Sequence, residues 1–64
     1  MSKRLIRIKE VENYTGHSRS EINRGVKEGW FPKPVPLGRR TLAWVEEEIG
    51  KYVEAKIASR DSAA

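Results

Sequence analysis

Hydrophobic residues fall in short groups along the chain, and the spacing within each group predicts a separate element. Leu5 and Ile6, inside the basic start Lys3 to Arg7, predict a short strand. Lys9 to Tyr14 predicts a short helix, with Val11 and Tyr14 three apart on one side and Gly16 as its stop. A second helix starts at Ser18. Ser18 and Glu21 match the capping box, in which the hydroxyl and the carboxylate each satisfy a free backbone amide. Ile22 and Val26 are its sizeable apolar residues, Gly25 is a packing position, and Gly29 is the C-terminal cap. Pro32, Pro34 and Pro36 then forbid helix and favour an extended strap. Val35 and Leu37 lead into a strand, Gly38 to Arg40 supply a turn, and Thr41 to Trp44 return with Leu42 and Trp44 on one face, which makes a β-hairpin. Finally, Val45, Ile49, Tyr52, Val53 and Ile57 repeat at helical spacing from Val45 to Ala58, as a lid over the core. Glu46, Glu47 and Glu48 stand in its first turn, where the helix dipole favours anions. Residues 59–64 have little to bury and are expected to form a disordered tail, which leaves 1–58 as one domain.

Composition narrows what such a domain can do. A chain of 64 residues with 38% hydrophobic content has a thin core. Trp30, Phe31 and Trp44 are expected to close that core rather than to stack on bases. Without cysteine there is no disulfide framework and no thiolate metal site, and a single histidine, His17, cannot hold a metal alone. No pair of residues suits nucleophile and base, and no glycine-rich loop cradles phosphate, so neither catalysis nor a cofactor is expected. No apolar run is long enough for a signal peptide or a membrane span, which predicts a soluble, cytoplasmic protein.

Charge points to a partner. The formal net charge is +4, unevenly spread: residues 1–40 hold ten lysines and arginines against four glutamates, whereas residues 41–64 hold three against five acidic residues. A polyanion would bind the first two thirds of the chain. Two helices separated by Thr15, Gly16 and His17 form a helix-turn-helix candidate, although a plain helical hairpin has the same pattern. The arrangement of charges around the second helix separates the two. At about 100° per residue, with Arg19 at zero, Asn23 falls near about 40°, Lys27 near about 80°, Ser20 near about 100° and Arg24 near about 140°. Gly25, Ile22 and Val26 occupy the other side, and Glu21 and Glu28 lie between the two faces. Arginine can bond guanine edges and asparagine adenine edges, while serine and lysine suit phosphates. The hairpin adds Arg39 and Arg40 at its tip, suited to the phosphate backbone or the minor groove.

The order of elements resembles the AlpA family of small prophage regulators over roughly residues 4–58. The resemblance is carried by three runs: TG.SRS.I.R at Thr15 to Arg24, KEG.FPKPV at Lys27 to Val35, and LG.R...W at Leu37 to Trp44. It implies an α+β fold, a small winged helix-turn-helix with three helices and a β-hairpin wing, related to the DNA-binding domains of MerR proteins and phage excisionases. It also implies binding to double-stranded DNA next to integrase genes or attachment sites, with Ser18 to Lys27 as the recognition helix and Gly38 to Arg40 as the wing. The site residues are then Ser18, Arg19, Ser20, Asn23, Arg24, Lys27, Arg39 and Arg40, with His17 as a further phosphate contact or a turn histidine exposed to water. The chain departs from the family pattern at His17, where an apolar residue is common. It also departs at Glu21 and Asn23, which replace a frequent threonine and an aromatic, and at Gly25, which stands for a larger side chain. These departures bear on which bases are read.

Three roles follow for such a chain. It is a transcriptional regulator, for example of an integrase gene, or an excision factor acting architecturally at attachment sites, or an adaptor whose basic face engages an acidic protein such as integrase. A chain this short holds no separate dimerisation domain, so a monomer is expected in solution, with side-by-side assembly on repeated DNA sites.

Overall fold

The computed structural model describes residues 3–62. Its elements run β1 (Leu5–Ile6), α1 (Ile8–Thr15), α2 (Arg19–Glu28), β2 (Val35–Pro36), β3 (Leu42–Val45) and α3 (Glu46–Ser62). The strands form one antiparallel sheet of order β1-β3-β2, with Ile6 opposite Trp44 and Val35 opposite Ala43. The fold is the expected α+β winged helix-turn-helix: α1 and α2 enclose the turn, and β2 and β3 form the hairpin wing.

Both helices of the pair end on a left-handed glycine. Gly16 has φ 78° and Gly29 φ 93°, a conformation that other residues adopt only under strain. At Gly29 the chain reverses tightly, because the amides of Gly29, Trp30 and Phe31 all donate to the Gly25 carbonyl, at 2.8, 3.0 and 3.2 Å. This turn brings Phe31 back under α2. Gly25 makes the approach feasible, since a Cβ there would lie 2.8 Å from both the Phe31 Cβ and the Trp30 ring.

The buried core consists of Ile6, Val11, Ile22, Phe31, Ala43, Trp44 and Ile49, one or two residues from every element but β2. Trp44 is 2% exposed, and its indole Nε1 donates to the Pro32 carbonyl at 2.9 Å, which pins the proline strap to the sheet. Ile8, Val26 and Tyr52 close the core's margin.

Several boundaries and faces differ from the sequence expectation. Helix α1 starts one residue earlier and ends one later, and β3 is shifted by one, to Leu42–Val45. Leu37 lies outside β2 and is exposed. Tyr14 is half exposed rather than buried with Val11, because it lies across α3, its hydroxyl over Gly50. Trp30 does not close the core. It is 40% exposed, spread over Gly25, with its Nε1 donating to Glu28 Oε1 at 2.8 Å. Only Ile49 of α3 is fully buried, and Ile57 is exposed. The tail expected to be disordered from Ser59 is helical through Ser62, while 63–64 lie outside the described residues. After Gly50 the chain has neither glycine nor proline to stop the helix, and Arg60 in the last turn suits the dipole.

Candidate nucleic-acid interface

Helix α2 owes its precise start to Ser18. The Ser18 hydroxyl accepts from the Glu21 amide at 3.2 Å, and the Ser18 amide donates to Glu21 Oε1 at 2.9 Å. This reciprocal cap fixes the helix phase, so Ile22 and Gly25 face inward and Arg19, Ser20, Asn23, Arg24 and Lys27 all face solvent. The two carboxylates of the helix are occupied elsewhere: Glu21 by the cap and by His17, Glu28 by the Trp30 indole. Hydrogen bonding to the Ser18 amide and then to His17 holds the Glu21 carboxyl below its ordinary pKa.

The hairpin stands beside this helix. The Leu37 amide donates to the Thr41 carbonyl at 2.7 Å and closes a loop that exposes Gly38, Arg39 and Arg40. Arg40 reaches back toward α2. Together with Arg7, Ile8, Arg19, Asn23, Leu42 and Trp44 it lines an indentation of about 130 Å³ between the β1–α1 junction, α2 and the wing. Leu42 and Trp44 thus share a face, with Leu42 at its open end. Of the residues picked out by sequence, Arg19, Asn23 and Arg40 meet here; Ser20, Arg24, Lys27 and Arg39 lie outside this hollow.

Arg7 was missed by sequence reasoning, which saw it only as part of a basic start. The available signal was the alternation in β1: Leu5 is exposed and Ile6 buried, so Arg7 turns outward again, just before α1.

His17 departs most from its expected setting as a turn histidine exposed to water. Its Nε2 lies 2.9 Å from the Tyr52 hydroxyl of α3, and its Nδ1 lies 3.3 Å from Glu21 Oε1. The carboxylate can only accept, so Nδ1 carries a hydrogen and, in the neutral ring, Nε2 accepts from Tyr52. The ring sits among Trp30, Phe31 and Tyr52, at centroid distances of 5.7, 6.0 and 5.9 Å. Burial against these rings pushes the Tyr52 phenol above its ordinary pKa. Both His17 nitrogens are engaged within the domain, on the side toward α3 rather than on the α2 stripe. Ser18 is likewise committed to its cap.

Among the described residues no group of three or more acidic or histidine side chains is placed to hold a metal, and no helix is long and apolar enough to cross a membrane.

A helix-turn-helix pair whose second helix lies exposed beside a basic hairpin defines the class: this is a winged helix-turn-helix protein. Within that class the chain belongs to the AlpA family, since the family model described as "Prophage CP4-57 regulatory protein (AlpA)" matches residues 4–57. The family is one of phage regulatory proteins. The chain is also similar to "Uncharacterized protein ORF88" of Enterobacteria phage P4, 37% identical over 57 residues, which cover 89% of this chain and 65% of that relative. It therefore spans just under two thirds of the relative's length. No solved structure matches it.

Proposed function

We propose that the chain binds specific sites on double-stranded DNA and regulates transcription of prophage or mobile-element genes, an integrase gene among them, acting in the cytoplasm. Helix α2 lies in the major groove, with Asn23 and Arg24 reading base edges and Ser20 and Lys27 holding phosphates. The wing carries Arg39 and Arg40 to the adjacent backbone or minor groove. The observation that carries this reading is the α2 face: five exposed polar and basic side chains on one side, with both carboxylates of the helix tied up in internal hydrogen bonds. Membership of a phage regulatory family supports it.

The test is selection of duplexes from a random-sequence pool, followed by gel shifts on the recovered duplex and on unrelated DNA at two salt concentrations. The expected result is a recovered consensus that outlasts unrelated DNA at the higher salt. Asn23→Ala should lower that discrimination by about 1–3 kcal/mol, the worth of a bidentate base contact. Binding that is absent or independent of sequence would favour the adaptor role instead. Bending of the recovered duplex, read by gel mobility, would favour an excision factor acting architecturally over a simple regulator.

A further inference from the structure

Arg7 belongs neither to α2 nor to the hairpin, yet it shares one hollow with residues of both. We propose that Arg7, Arg19 and Arg40 form a clamp for a single phosphate of the DNA backbone, seated in the hollow between α2 and the wing. This rests on the DNA-binding reading above and assigns Arg19 to positioning rather than to base reading.

Three observations carry the assignment. First, the guanidinium-bearing residues come from three separate segments: the β1–α1 junction, the first residue of α2 and the hairpin tip. The fold itself has gathered them. Second, the rest of the lining is Ile8, Leu42, Trp44 and the neutral Asn23, with no carboxylate. Among the described residues none of the three arginines lies within 4.0 Å of an acidic group, whereas Lys3, Arg4 and Arg60 all do. Three arginines border one hollow that has the buried Trp44 at its floor and no carboxylate in its lining, which leaves it electropositive until an anion enters. A neutral guanine edge would use one arginine and leave the other two opposed, whereas a phosphate oxyanion satisfies all three. Third, the chemistry is specific to the residue type, because the planar guanidinium fork grips two phosphate oxygens at once and an ammonium does not. The floor is also fixed, since Trp44 is buried and its Nε1 is bonded to Pro32.

The clamp can be probed without breaking the fold. The Arg7 side chain makes no capping bond to α1, and its carbonyl, which accepts from the Val11 amide at 3.0 Å, survives substitution. The experiment takes the duplex recovered by selection and replaces its phosphates one at a time by neutral methylphosphonates, measuring Kd for wild type, Arg7→Ala and Arg40→Ala. In the wild type one position between major groove and wing should weaken binding on the order of tenfold, as for loss of a charge-assisted hydrogen bond. In both variants the same position should become nearly silent. The salt dependence should show the sharing: Arg7→Ala with Arg40→Ala should flatten the slope of log affinity against log salt by about 0.9, for one phosphate, rather than about 1.8 for two. Arg7→Lys, which keeps the charge but loses the fork, should keep the slope and still lose several-fold in affinity, with melting curves confirming an intact fold. A methylphosphonate effect that persists undiminished in Arg7→Ala, or two different positions silenced by the two variants, would overturn the clamp and leave DNA binding standing. A wild-type chain that retains no duplex would overturn both.

Discussion

Gly25 shows how much a single missing side chain decides. A helix interior normally disfavours glycine by about 1 kcal/mol relative to alanine, so replacing it should help unless space forbids. Here it does: the added Cβ would lie 2.8 Å from the Phe31 Cβ, which sits on the backbone of the turn and cannot swing aside as the exposed Trp30 ring can. Overpacking of this kind costs about 1–3 kcal/mol. Gly25→Ala should therefore be neutral at best and destabilising by up to about 2 kcal/mol, which a thermal melt reads as a drop of several degrees; a raised midpoint would show that the turn yields. Glu21 gives a pH signature. Its folded pKa lies below the ordinary value of 4.5, so the stability it contributes is present above that pH and is lost as pH falls through the folded value. Glutamine at this position keeps the capping geometry and removes the titration. Glu21→Gln should thus be less stable than wild type near about pH 7, and urea midpoints of the two proteins should converge as pH falls through the folded value. A constant gap across that range would show that the carboxylate's charge is not what stabilises the start of α2.

At the scale of elements, what could be read from the sequence is what depends on near neighbours. Ser18 and Glu21 are three residues apart, and their reciprocal bonds follow from helix geometry alone, as do the phase of the exposed stripe and the glycine stops at Gly16 and Gly29. The spacing of Gly25 within that phase identified it as a packing position. The contacts that sequence missed join residues far apart in the chain or depend on competition between surfaces. His17 finds Tyr52 thirty-five positions away, and no local pattern announces that a histidine will be drawn in among Trp30, Phe31 and Tyr52. Trp30 has the composition of a core residue but not the place, because Phe31 fills the space beneath Gly25 and leaves the indole spread over the outside. The length of α3 was underestimated for a different reason: burial ends near Val53, but helix propensity continues through Ala55, Ala58 and Arg60, and a helix needs a stop signal to end. Arg7 became visible only once the sheet had set β1 beside β3 and the hairpin had turned Arg40 back toward α2.

Across the whole molecule the charge asymmetry of the chain becomes a division of faces. Arg19 of α2, Arg7 of the β1–α1 junction and Arg40 of the wing border one hollow, while the acidic start of α3 is joined to the basic start of the chain, its Glu46 amide bonded to the Arg4 carbonyl at 2.7 Å and Glu47 paired with Lys3 at 3.8 Å. If the wing serves binding and not folding, the two can be separated experimentally, because Arg39 and Arg40 are exposed in a loop closed by the backbone bond between Leu37 and Thr41. Replacing both by alanine should leave the thermal midpoint nearly unchanged, since exposed substitutions usually move stability by less than about 0.5 kcal/mol. Affinity for DNA should nevertheless fall, and its salt dependence should change. Arg39 releases one phosphate outright. Arg40 shares its phosphate with Arg7 and Arg19, and the clamp lets go of it when Arg40 is lost, so the slope of log affinity against log salt should become shallower by roughly 1.8 for the two phosphates together. If Arg39 enters the minor groove, the loss should be larger on A·T-rich flanks, where that groove is narrow and more negative. The measurement is a salt titration of wild type and the double variant on one duplex, with melting curves as the control for folding. An unaltered slope with an intact fold would show that the hairpin tip stays clear of the DNA and that α2 reads it alone.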